Sequence, residues 1–173
     1  MYNVIICCES PSSLYGQLTA IRHYLEMPTF AGAGQDQPLN LLETGRISRL
    51  SVQDPIVILP KPLSGALIQP GPVFAVIANS DFYDAGSLTE SFPGAQILTC
   101  GMHQQDTLTF SSCDGEQAVV SLQAPLSTLA GIPVLPQEIP LVRREEVKRF
   151  DLLACAALML LCGRAGQLPE ILS

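Results

Sequence analysis

The 173-residue chain has no tryptophan, and only 14% of its residues are charged, 9 of them Lys or Arg against 16 Asp or Glu. With a net charge of −7 and a pI near 4.6, the chain lacks the basic surface that a polyanion needs for counterion displacement, so no nucleic-acid partner is expected. Long apolar runs are also missing. The most apolar stretch, Leu152 to Cys162 (LLACAALMLLC), lies between Asp151 and Gly163-Arg164 and falls well short of the roughly 20 residues that span a bilayer. It reads as a buried core helix, and no membrane partner is expected. There is no CxxC pair and no His/Cys cluster, and His23 and His103 are far apart in the chain, so no metal site is expected. No secretory leader pattern precedes the first strand-like segment, Cys7 and Cys8 are adjacent, and Cys155 and Cys162 lie in the apolar run. The six cysteines therefore read as free thiols of a cytoplasmic protein.

What is present is enough apolar sequence for one core: 47% of residues are hydrophobic, which sets the chain apart from a disordered segment and fits a single domain over 1–173. Asn3 to Cys8 (NVIICC) predicts a buried strand. Leu14, Leu18, Ile21 and Leu25 predict an amphipathic helix over Ser12 to Glu26, capped by Ser12 or Ser13. Met27 to Leu39 reads as a loop. Its Gly32-Ala33-Gly34 lacks the third glycine, the preceding strand and the following helix start of a dinucleotide fingerprint.

Pro55 to Leu59 and Val73 to Ala78 are apolar throughout, as in strands of a parallel sheet covered on both faces. Pro60, Pro62 and Pro70 exclude a regular element between them, apart from a helical turn at Leu63 to Leu67. Asp84 to Ser91 predicts a short helix with Ser87 and Glu90 as a capping box, and Gln96 to Cys100 a strand in which Cys100 is a small core residue. Thr107 to Ser111 and Gln117 to Leu122 predict a hairpin turning at Asp114-Gly115.

Ile132 to Val142, interrupted by Pro133, Pro136 and Pro140, belongs at a sheet edge. A helix over Glu145 to Cys162, stopped by Gly163, closes the core, and Pro169 opens a last turn. Arg143, Arg144, Lys148 and Arg149, interleaved with Glu145 and Glu146, read as a solvated helix face. The expected fold is α/β: a mainly parallel sheet flanked by helices, with an antiparallel hairpin added at one edge.

From Val73 onward the order of segments resembles the later part of the central domain of the ATP-dependent Mur ligases and their folylpolyglutamate synthetase relatives. The strand ending in Asn79-Ser80-Asp81 (VIANSDF) matches the family's Asn-x-Asp motif. Ile97 to Gly101 (ILTCG) looks like its strand ending in glycine, and LTFSSCDGEQAVVSL is similar to its Asp-Gly hairpin. Phe150 to Leu172 resembles its alanine-rich helix, with Asp151 where an asparagine is usual. The resemblance covers about residues 73–172 and leaves 1–72 unassigned.

The resemblance implies a nucleotide site with Asn79 beside the base and Asp81 close by. ATP and magnesium would be cofactors only if that site is retained. The family's phosphate loop, GxxGK[ST], does not occur in the sequence. Nor does the short stretch before Val73 leave obvious room for the whole ligase framework, and the family's separate C-terminal domain is not expected. No catalytic residue is assigned. The expectation is a non-catalytic binding or assembly module with a degenerate nucleotide site, self-associating or meeting a protein partner. The alternative is a nucleotide- or small-ligand-binding enzyme component related to ATP-dependent amide ligases. His103, in the loop after Gly101, is a candidate ligand-loop residue. From the residues alone, Asn79 and Asp81 read first as a cap of a turn or of the next helix.

Overall fold

The computed structural model describes residues 2–8, 12–26, 38–45, 52–63, 71–114, 117–142 and 147–167. The strands are β1 (Tyr2–Cys7), β2 (Leu39–Thr44), β3 (Ile56–Leu59), β4 (Ala75–Asn79), β5 (Gln96–Cys100), β6 (Leu108–Asp114), β7 (Gln117–Leu122), β8 (Leu126–Ser127), β9 (Pro133–Val134) and β10 (Gln137–Val142). The helices are α1 (Ser13–Ala20), α2 (Arg22–Glu26), α3 (Ala85–Ser91) and α4 (Arg149–Leu161), with a 3₁₀ turn at Ala165–Gln167. Eight strands form one sheet in the order β10-β7-β6-β5-β4-β3-β1-β2, and β8 and β9 pair separately as an antiparallel hairpin. From β2 to β6 every neighbouring pair is parallel, and β7 and β10 then add antiparallel pairings at one edge. This is the α/β arrangement expected from the sequence. No helix among the described residues is long and apolar enough to cross a membrane.

The two-residue period of the apolar strands explains why the sheet is covered on both sides. Val4, Ile6, Ile56, Ile58, Ala75, Ile77 and Leu98 point toward α1 and α4, whereas Ile5, Cys7, Val57, Leu59, Val76 and Ala78 pack with Leu88 and Phe92 of the α3 region. Helix α4 is apolar around its whole circumference, and every residue from Asp151 to Leu161 is buried, as expected for a helix enclosed by the core. It ends in a Schellman motif. The N–H of Arg164 donates to Met159 O at 2.8 Å and that of Gly163 to Leu160 O at 2.9 Å, with Gly163 at φ 72°.

Four elements differ from the sequence expectation. Leu39–Thr44 forms strand β2, an edge strand parallel to β1, where the reading had a loop reaching Leu39. The helix over 12–26 is divided at Ile21, after Thr19 Oγ1 donates back to Tyr15 O at 2.8 Å and competes with the helical ladder. The cap of α3 is Asp84, not a Ser87–Glu90 box. Its carboxylate accepts from Ser87 N at 2.9 Å and from Ser87 Oγ at 2.6 Å, bonds that hold its pKa below the usual range. Helix α4 begins at Arg149, so of the basic cluster only Lys148 and Arg149 are described, both exposed. Gly32-Ala33-Gly34, Leu67, Gly115, Arg143, Arg144, Glu145, Glu146 and Pro169 lie outside the described residues.

Candidate functional site

Strand order places the fold's switch point between β1 and β3, because the chain leaves β1 toward β2 on one side and returns to β3 on the other. Open α/β sheets bind ligands at the carboxyl ends of such strands. Here that edge carries two groups of polar side chains.

The first group surrounds the start of α1, the position where a helix N-terminus after β1 could hold an anion. Ser12 is the N-cap and accepts from Tyr15 N. Glu43, near the end of β2, accepts from Ser12 N at 2.9 Å and also from Ser12 Oγ. Asp151, in the first turn of α4, accepts from Ser13 Oγ. Two carboxylates thus already take the Ser12 N–H and the Ser12 and Ser13 hydroxyls at this helix start.

Burial raises the Asp151 pKa above its ordinary value, opposed first by the Ser13 hydrogen bond and then by the charges of Lys148 and Lys61. An acid whose pKa is raised on folding holds its proton more tightly in the native state. Its contribution to stability is therefore complete below the ordinary carboxylate range and is lost as pH rises through the raised native value. Asp151→Asn is expected to raise the urea midpoint at pH 7 and to give no advantage at pH 3. Equal midpoint shifts at both pH values would show that the carboxyl does not titrate anomalously.

The second group lies past β4 and β5. Asn79, buried at the end of β4, donates from Nδ2 to Pro60 O at 3.3 Å and accepts at Oδ1 from Asp81 N at 3.0 Å. Its own carbonyl accepts from Phe82 N and Tyr83 N. The amide thus ties the ends of β3 and β4 together and shapes an Asx turn. Asp81 is exposed on that turn. Neither residue lines the adjoining hollow of about 450 Å³, which is bounded by Ser80, Phe82, Tyr83, Asp84, His103 and Asp106 among others.

Asp106 organises this hollow. It is 4% exposed and accepts from Ser80 Oγ at 2.9 Å and from the backbone N–H of His103 at 2.9 Å, while Asp106 N donates to His103 O at 3.0 Å. Thr99 and Thr107 exchange reciprocal backbone-to-hydroxyl bonds at 3.3 and 3.1 Å across the base of the same loop. The exposed His103 is therefore presented at the hollow by a hydrogen-bonded loop that holds both its backbone N–H and its carbonyl. Cys100 lies beneath, fully buried, its thiol pushed well up first by burial and then by the Asp106 charge.

Sequence reasoning singled out Asn79, Asp81 and His103, and the structure brings His103 to the hollow while turning Asn79 toward Pro60. It missed Ser80, Asp106, Glu43 and Ser12–Ser13 as partners. The His103-to-Asp106 spacing, which suits a carboxylate closing a tight turn, was the one local signal for any of them. Among the described residues no group of three or more His, Cys, Asp or Glu side chains is placed to hold a metal ion.

No protein-family model matches the chain, and no curated protein matches it. Among solved structures, the Mur ligase MurF from Acinetobacter baumannii matches with a TM-score of 0.52 at 10% identity, over 99% of this chain and 45% of that one. The likeness in fold thus extends beyond residues 73–172 to almost the whole chain, which spans less than half the length of MurF, and the chain has a Mur ligase-like fold.

Proposed function

We propose that this protein is a non-catalytic Mur ligase-like domain of the cytoplasm that serves as a binding or assembly module, its nucleotide site degenerate. The observation that carries this reading is the pair of carboxylates at the start of α1, where Glu43 takes the Ser12 N–H and hydroxyl and Asp151 the Ser13 hydroxyl beside the helix end that a phosphate would approach. A nucleotide polyphosphate approaching that helix end would meet like charge and lose the hydrogen bonds that compensate for desolvation. The absence of GxxGK[ST] from the sequence agrees. Asn79, whose amide is engaged with Pro60 and Asp81, would have to break a turn to reach a base.

Isothermal titration of ATP and ADP with magnesium into the chain, repeated with Asn79→Ala, is the test. No heat is expected at millimolar nucleotide. Saturable binding abolished by Asn79→Ala would overturn the reading and restore a nucleotide site at the end of β4. Sedimentation of the same preparation at rising concentration examines assembly, for which exposed Leu42, Ile132 and Leu135 supply apolar surface. A strictly monomeric chain would remove self-association and leave a different protein as the partner.

The hollow lined in part by His103 favours a second reading, in which the chain is a small-ligand-binding component related to ATP-dependent ligases. A hollow in which Ser80, Asp84, His103 and Asp106 stand beside Phe82 and Tyr83 offers a small ligand polar contacts within a partly apolar wall. In that case the titration gives heat that Asn79→Ala leaves intact and His103→Ala removes.

A further inference from the structure

Strand β2 closes one side of the eight-stranded sheet, and among the described residues no strand lies beyond it. Its pairing with β1 decides which of its backbone groups face outward. Tyr2 N donates to Pro38 O at 3.0 Å and Cys8 N to Thr44 O at 2.9 Å, at the two ends of a parallel register that sets Tyr2 beside Leu39 and Cys7 beside Thr44. In a parallel ladder the N–H and C=O of one residue point to the same side, and the side alternates along the strand. Asn40, Leu42 and Thr44 therefore turn these groups toward β1, and Leu39, Leu41 and Glu43 turn theirs to the open edge.

The beginning of that edge is blocked by α2. Leu39 N donates to Glu26 Oε1 at 2.9 Å, Leu39 O accepts from Arg22 Nη2 at 2.8 Å, and the two side chains are themselves joined at 2.9 Å. Charged side chains laid over an edge are a common device against strand pairing. Here the device covers one residue. Among the described residues, the outward groups of Leu41 and Glu43 meet no such cap, and Leu42 between them is 50% exposed.

The open stretch is suited to a copy of itself. Identical edges brought together by a twofold axis run antiparallel, and outward residues must then pair with outward residues. A twofold at Leu41 would set Glu43 against the capped Leu39, and one at Glu43 would set two glutamates directly opposite each other, a destabilising pair. A twofold at Leu42 pairs Leu41 with Glu43 of the second copy, which uses both open residues and avoids the cap. It also sets Leu42 against Leu42 and Asn40 against Thr44, apolar with apolar and polar with polar.

We propose that β2 is a self-pairing edge, through which two copies of this chain join antiparallel about a twofold axis at Leu42 and form one continuous sheet. This names the surface for the self-association proposed above and rests on that reading. A single strand edge is small against the roughly 1,200 Å² of a stable interface, so the dimer is weak. Each copy carries a net charge of −7, so screening by salt strengthens it.

The test is sedimentation equilibrium of the full chain up to about 1 mM, the weak end of specific association, with variants at the exposed Leu42 that leave the core intact. Leu42→Lys places two cations face to face and should weaken the dimer about tenfold or more, whereas Leu42→Val should change it less than about threefold. Circular dichroism confirms that both variants are folded. Cross-linking fixes the register. Directly opposed residues of this kind have Cα atoms about 4.5 Å apart, within disulfide reach, so Leu42→Cys should give a covalent dimer on mild oxidation. Asn40→Cys, displaced from its own copy by about 13 Å along the strands, should give no more than the unsubstituted chain. Association that Leu42→Lys leaves unchanged, or equal cross-linking at positions 40 and 42, would overturn the proposal and leave self-association to another surface. A chain that stays monomeric throughout would overturn both this proposal and self-association, and would leave the edge to an extended segment of a different protein.

Discussion

Leu158→Ala is expected to destabilise the domain by about 3–4 kcal/mol, the range found when a large aliphatic side chain is removed from a core that cannot collapse around the void. Leu158 is fully buried within a helix whose residues from 151 to 161 are all enclosed, and α4 packs against β4, β5 and β6 on the sheet and against α1. A helix held from several sides cannot shift to refill a cavity on one of them without opening another. Since an entire domain is stable by only about 5–15 kcal/mol, a loss of this size removes a large share of the margin. Guanidinium unfolding measures it directly. A change below about 1 kcal/mol would mean that the site relaxes and that α4 is less tightly enclosed than its burial indicates.

Gly101→Ala is expected to cost about 2–3 kcal/mol for a different reason. A Cβ at this position would stand 2.0 Å from Ser80 Oγ and 2.8 Å from Asp106 Oδ2. The serine hydroxyl would have to rotate away, and that rotation breaks its 2.9 Å bond to Asp106, a buried carboxylate that has few other donors. The cost therefore couples steric conflict to lost hydrogen bonding, and a double-mutant cycle reports the coupling. Ser80→Ala alone should destabilise, yet in the Gly101→Ala background it should cost little, because the bond it removes is already lost. Additive effects would show that the methyl group is accommodated by a backbone shift instead. Gly101 is therefore required by close approach at the end of β5.

The fold was legible wherever local pattern decided structure. Gln96 to Cys100 was read with its observed bounds, and the apolar runs at Asn3, Pro55 and Val73 announced the buried parallel strands. Of the proline-interrupted segment Ile132 to Val142, Gln137–Val142 lies at the sheet edge, where Pro140 sits opposite Val119 on β7, whereas Pro133–Val134 pairs with β8 in the separate hairpin. Leu39–Thr44 was not legible because it is an edge strand with Asn40, Leu42 and Glu43 partly or fully exposed, so it lacks the continuous apolar run that marked its neighbours. The α3 cap was misassigned because Asp84 and Ser87 satisfy the same spacing rule one turn earlier.

The candidate sites were less legible for a simple reason. Ser13 meets Asp151 across 138 positions and Ser12 meets Glu43 across 31, and nothing in the neighbourhood of either residue records the other. Asn79 and Asp81 were conspicuous because they follow an apolar strand directly. Local conspicuousness reports a turn as readily as a ligand contact, and the geometry around Asn79 is that of a turn.

The cysteines give the protein a property of their own. None of the six forms a disulfide, and burial is the first cause of the raised ionisation of Cys7, Cys100, Cys155 and Cys162. Cys7 is pushed up to about 12, with its neighbour Cys8 adding to the effect, and Cys162 to about 12 despite the opposing charge of Arg164. At neutral pH only about one such thiol in 10⁵ is a thiolate, the form that reacts with electrophiles. While the core stays closed, alkylating agents and oxidants find almost nothing to attack at these positions. Each thiol becomes reactive only when its own strand or helix segment opens, so the chain carries built-in clocks that record how often β1, β5 and the middle and C-terminal end of α4 come apart.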